Sequence, residues 1–250
     1  IFCLFHTSAQ QIIENGMSVF ILPDSSDAMI QADFVVRAGY NHQDLKNAGL
    51  IPLYAKVFSE TIQKSDWINE LGVTFSYECT DIATKYSFYL SAQVLEEVLS
   101  NLAISIFDPI FTDQAIYNSY LQIKEDSQNI ASAVTGFINR QIESTVLKIS
   151  PYQQRAAWPQ GLENMNSPSD IRNALEKISN QFYIPKNCAL FISGSVDSEE
   201  VLKKVQTIFG NYQSKRKLPQ KPIFLPIENI DTKKFVLVSD DFSEDLNHLV

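Results

Sequence analysis

An α+β fold, with a mainly antiparallel sheet and helices packed against it, is predicted by three observations. Short alternating segments come in pairs, longer segments carry one apolar stripe at helical spacing, and glycine, proline and acidic residues stand where such elements start and stop. Asn15-Gly16 is a turn signal, and Met17-Ser18-Val19-Phe20-Ile21-Leu22-Pro23 after it is an apolar run stopped by Pro23-Asp24, a first strand. Ala32 to Gly39 alternates and ends at a glycine, and these two strands are expected to pair as antiparallel neighbours.

From Gly49 onward Leu50, Leu53, Tyr54, Val57, Phe58 and Ile62 fall on one helical stripe. A proline inside a helix costs about 3 kcal/mol but is tolerated at the first helical position, so this helix is expected to begin at Pro52. A short helix, Asp66 to Leu71, ends at Gly72. Val73 to Glu78 and Thr84 to Leu90 then alternate like a second antiparallel pair on a half-buried sheet. Helices follow at Val94 to Ile106, stopped by Asp108-Pro109, and from Asp113 to Lys148, with a break expected near Gly136 and an end at Pro151-Tyr152. Pro159 to Pro168 reads as a loop. Ile171, Leu175, Ile178 and Phe182 mark another helix, Cys188 to Gly194 another strand, and Asp197 with Glu200 a cap for the helix Glu199 to Phe209, which Gly210 terminates.

The organisation expected is a signal-peptide remnant at 1–9, a main domain at 10–212, a linker at 213–234 and the start of a truncated second domain at 235–250. Pro219, Pro222 and Pro226 among charges give the linker its composition, and Phe235-Val236-Leu237-Val238 opens a new strand. The opening Ile1-Phe2-Cys3-Leu4-Phe5 before Thr7-Ser8-Ala9-Gln10 reads as the tail of a secretory signal, so export to the periplasm or the extracellular space is expected. An apolar arm packed on the domain is the alternative, while the bulky Phe2 argues against a lipid anchor on Cys3.

A net charge of −9, with no basic run longer than Lys215-Arg216-Lys217, argues against nucleic acid. A hydrophobic fraction of 45% with 20% charged residues describes a folded, water-soluble chain with no transmembrane segment. Cys3, Cys79 and Cys188 lack the spacing of a thiolate metal site, and Cys79 and Cys188 could be bridged or free. The histidines, His6, His42 and His248, have no ligand spacing and read as surface residues. No nucleophile-elbow motif is present, and nothing places a base beside Cys79 or Cys188.

In order along the chain, several short motifs together resemble one family. They are Asn15-Gly16-Met17-Ser18-Val19 with Pro23-Asp24, Val36-Arg37-Ala38-Gly39, Ala48-Gly49-Leu50, Asp108-Pro109-Ile110-Phe111, Pro151-Tyr152, Tyr183-Ile184-Pro185-Lys186-Asn187, Gly194-Ser195-Val196-Asp197 and Phe209-Gly210. The pattern is similar to the pitrilysin/insulinase, or inverzincin, metallopeptidases, and implies their LuxS/MPP-like metallohydrolase fold. Active members carry H-x-x-E-H on the helix after the Gly-Leu pair, two His ligands for zinc and a Glu base between them. Here the resemblance puts Pro52 and Lys56 at the ligand positions and Ala55 at the base position. Proline and alanine offer no ligand atom, and a protonated lysine has no lone pair. The third family ligand, a Glu on the long helix, is matched by Glu125, and Asn118 stands where an acidic supporting residue is expected. A lone carboxylate does not hold zinc, so Glu125 also reads as an exposed charge or a partner for Lys56.

The resemblance therefore implies a catalytically inactive homologue with no catalytic residue and no bound zinc. It would bind a peptide or unfolded polypeptide, or partner an active metallopeptidase subunit. The family binds substrates as a strand added to a sheet edge, and that edge is matched by Ser76, Tyr77, Glu78, Cys79 and Thr80, which could equally be a structural strand only. Two alternatives stand: a zinc endopeptidase of the insulinase family whose active motif lies downstream, and a purely structural scaffold.

Overall fold

In a computed structural model, the structure describes residues 10–222 apart from 27, 45, 133–135, 137, 140, 141, 143–158, 164 and 166. The signal remnant with Cys3 and His6, most of the helix beyond Ser132, the Pro151-Tyr152 stop, the linker beyond Pro222, the strand at Phe235 and His248 lie outside the described residues.

Six strands form one sheet: β1 (Gln11–Ile12), β2 (Ser18–Pro23), β3 (Met29–Val36), β4 (Thr74–Cys79), β5 (Thr84–Ser91) and β6 (Cys188–Gly194), in the order β1-β2-β6-β3-β5-β4. Only β2 and β6 run parallel; every other neighbouring pair is antiparallel. The expected hairpin between β2 and β3 does not form. β6 lies between them, paired with β2 from Ser18↔Ala189 to Pro23↔Gly194 and with β3 from Ile30↔Gly194 to Val36↔Cys188. Leu190 and Ile192 make β6 an apolar strand, and the central place pairs both its edges while burying them. The connection from Pro23 to Met29 thus spans two strand spacings, about 10 Å. The pairing of β4 with β5 is as expected.

Alternation sends Val19, Ile21, Ile30, Ala32, Phe34, Tyr86, Phe88, Leu90, Leu190 and Ile192 to one face, where the helices pack. The other face carries Gln31, Asp33, Tyr89 and Phe191. The helices are α1 (Leu50–Gln63), α2 (Asp66–Glu70), α3 (Leu95–Phe107), α4 (Asp113–Ser132), α5 (Gln160–Glu163), α6 (Pro168–Phe182) and α7 (Ser198–Phe209). The short α5 occupies part of the segment expected to be loop. α6 begins at Pro168, with Ser167 accepting from the Asp170 amide, and α7 begins at Ser198, with Asp197 accepting from the Glu200 amide.

α1 is the element that positions the site, and it starts two residues before Pro52. The reason lies in its first amides. Leu50 N donates to Asn47 O at 3.0 Å, Ile51 N to the Gln43 side-chain Oε1 at 2.8 Å, and Leu53 N to Gly49 O at 3.0 Å. Pro52, third in the helix, has no amide to satisfy, and the carbonyl its ring would clash with belongs to Ala48, outside the helix. Gly49 turns the chain into the helix with φ 101°, and a Cβ there would meet Pro159 Cα and Leu162 Cγ at 3.1 Å. Tyr54, Phe58, Tyr86 and Tyr183 lie in the core beneath, with Tyr86 and Tyr183 hydroxyls 2.7 Å apart.

Candidate functional site

Sheet order leaves β4 at an edge: among the described residues its one strand neighbour is β5. Phe75, Tyr77 and Cys79 alternate toward the helices, while Thr74, Ser76 and Glu78 point to solvent. α1 packs against the inner side of β4, and α4 packs against α1. Where the three meet lies a cleft of about 540 Å³ lined by Tyr40, Pro52, Lys56, Tyr77, Cys79, Ile123, Asp126 and Asn129.

Each wall has a local cause. Pro52 and Lys56 are four residues apart, so they share one side of α1 and both reach the cleft. Ala55, between them, is fully buried in the core and does not line it. On α4 the buried stripe Ile116, Ser119, Ile123, Ser127 turns Asp126 and Asn129 to the opening. Tyr40 is held by a turn docked on the hairpin between β4 and β5, where Tyr40 N donates to Thr80 O at 3.1 Å and Asn41 N to Asp81 O at 2.9 Å. Gly39 permits that docking, because a Cβ there would lie 2.4 Å from Thr80 O.

The sequence-predicted residues divide accordingly. Pro52, Lys56, Tyr77 and Cys79 come together, whereas Glu125 is exposed and lies outside the lining. The partner of Lys56 is the next residue, Asp126, with Nζ 3.7 Å from Oδ2. Asn118 Oδ1 accepts from Gln114 Nε2 on its own helix, and Glu60 joins α1 to α4 by accepting from Ser119 Oγ at 2.8 Å. His42 is half-buried beside the ring of Phe182, its Nδ1 accepting from Gly39 N at 3.2 Å. Desolvation, with the Arg37 charge, lowers its pKa.

Burial pushes the Cys79 thiol up to about 11, with the carboxylates of Asp81 and Glu78 raising it further and the Thr84 hydroxyl opposing them. It is a neutral thiol at physiological pH, the wrong state for a nucleophile. Burial likewise raises the Cys188 thiol, and both cysteines are free. Tyr77 keeps its proton for the same reason, reinforced by Cys79 and the Asp126 carboxylate. For zinc the donor set does not fit: at the two helix positions stand an imino ring and an ammonium, and among the described residues no three His, Cys, Asp or Glu side chains converge.

Comparison with known proteins follows the same lines. Residues 170–250 match the family model described as the peptidase M16 inactive domain. Among solved structures, a protease from Helicobacter pylori superimposes with a TM-score of 0.74 at 15% identity, over 86% of this chain and 53% of that one. The first half of the periplasmic protease PqqL from Escherichia coli gives 0.72 at 13% identity, over 88% and 49%. Pitrilysin gives 0.71 at 14% identity, over 87% and 24%. The match to the family model is confined to residues 170–250, and the likeness to the solved peptidases is one of fold. The C-terminal third of the chain carries sequence of the M16 inactive-domain type, and the described residues carry the fold seen in these peptidases. This chain spans about half the length of the first two structures and about a quarter of the third. No curated protein matches it in sequence. Among the described residues no helix is long and apolar enough to cross a membrane.

Proposed function

We propose that this chain is a non-catalytic homologue of the family's zinc peptidases, which holds an extended peptide or unfolded polypeptide along β4 or partners an active family member. The observation that carries the reading is the cleft itself. Among the described residues, a strand edge with no neighbour, two side chains of that strand and the Pro52–Lys56 face of α1 share one opening, where no three metal-ligating side chains converge. Strand addition uses backbone hydrogen bonds and side-chain pockets, neither of which depends on zinc. Export fits the reading of the first residues and the periplasmic place of the E. coli structure. A second reading, that of a peptidase whose zinc motif lies elsewhere, draws on the share of its relatives that this chain spans.

Amide hydrogen exchange with and without a saturating extended peptide tests the proposal. Amides of residues 74–80 should slow on binding, more than those of the opposite edge at β1. Peptide binding that leaves β4 unchanged would overturn it.

A further inference from the structure

Lys56 is the one cationic side chain lining the cleft among the described residues. Its side chain is 24% exposed, and its one counter-charge among the described residues, Asp126, stands 3.7 Å away, beyond direct hydrogen-bond length. An ammonium carries three donors and no acceptor, and it gains most when each meets an oxygen. Asp126 does not supply that: its side chain is 57% exposed and its Oδ2 lies 3.7 Å from the ammonium. The walls on either side, Pro52 and Ile123, are apolar, which strengthens any charge pair formed between them, and the phenols of Tyr40 and Tyr77 and the amide of Asn129 complete a polar end. A volume of about 540 Å³ accepts one or two side chains.

We infer that the cleft recognises a carboxylate, with the Lys56 ammonium binding it where the family's metal would stand. This inference rests on the strand-addition reading, because it names the chemistry of the side chain that an added strand would direct inward. Every second residue of a strand beside β4 points to the helix side, so an Asp or Glu at such a position reaches Lys56. A peptide's terminal carboxylate reaches it when the chain ends beside Cys79. Asp126 is then an internal competitor that the ligand displaces from Lys56.

The test uses the whole chain and a labelled extended peptide in four forms, with a central Glu or Gln and a free or amidated C-terminus. Anisotropy should show the Glu peptide binding about tenfold or more tightly than the Gln peptide, as a charge-assisted bond does. If the terminal carboxylate is the ligand, the loss follows amidation instead. The preference should vanish in Lys56→Met, whose side chain fills the same space, and grow several-fold in Asp126→Asn. It should also weaken with salt.

A second measurement does not depend on strand pairing. N-acetylglutamate amide, but not the glutamine analogue, should shift the Lys56 Cε resonance at millimolar concentration. If neither carboxylate source changes peptide affinity and this resonance stays still, the inference is overturned, even where peptides bind β4. If no peptide binds and the resonance shifts, the carboxylate site stands and the strand-addition reading falls.

Discussion

The two faces of α1 do different work. Its inner face presents Leu53, Tyr54, Val57, Phe58 and Ile62, each at most 1% exposed, to the sheet and to α4 and α6. Its outer face, carried by Pro52 and Lys56, offers an imino ring and an ammonium, neither of which can ligate zinc. The inner side chains fix where the helix lies, and the outer ones only decide what the opening contains. The packing of α1 therefore does not depend on what its outer face carries.

That contrast can be broken by substitution, beginning where the effect is greatest. Phe58→Ala empties a site packed against the Tyr86 ring, 4.4 Å between centroids, and should destabilise by about 3–5 kcal/mol in urea unfolding. Gln43→Ala removes the acceptor shared by the Gly49 and Ile51 amides, and should cost about 1–3 kcal/mol by the same measurement. Lys56→Met breaks only a half-exposed pair at 3.7 Å and should change stability by less than about 1 kcal/mol. Equal losses for Phe58→Ala and Lys56→Met would erase the distinction between the faces.

Chemistry at the cleft gives a further check. With its thiol near 11, Cys79 should react with iodoacetamide at pH 8 at least tenfold more slowly than in the urea-unfolded chain, and faster as pH rises toward 11. Rapid modification of native protein at pH 8 would mean a thiolate that the surroundings of Cys79 do not support.

What the sequence made legible was local. The cap at Asp197, the end at Gly72 and the β4–β5 pair each depend on residues within a few positions, and each formed as expected. The β2–β3 hairpin failed because its true neighbour, β6, lies some 170 residues along the chain, and periodicity says nothing of such a partner. The start of α1 at Leu50 escaped because its cap comes from Gln43, six residues before Gly49.

Site residues show the same division. The four-residue spacing placed Pro52 and Lys56 on one side of α1, where both line the cleft, and among the described residues β4 lies at a sheet edge. The motif match pointed to Glu125 as a partner for Lys56, whereas the ion pair is made by Asp126, one residue on and about 100° around the helix. The stripe Ile116, Ser119, Ile123, Ser127 was the signal available, since it puts Asp126 beside the buried face and Glu125 away from it.

The direct measurement is a calorimetric zinc titration of the purified chain, run beside Lys56→His. Neither should give a stoichiometric isotherm, because a single imidazole opposite a proline is still short of the donors zinc requires. A one-to-one, chelator-reversible isotherm in the unaltered chain would contradict the account.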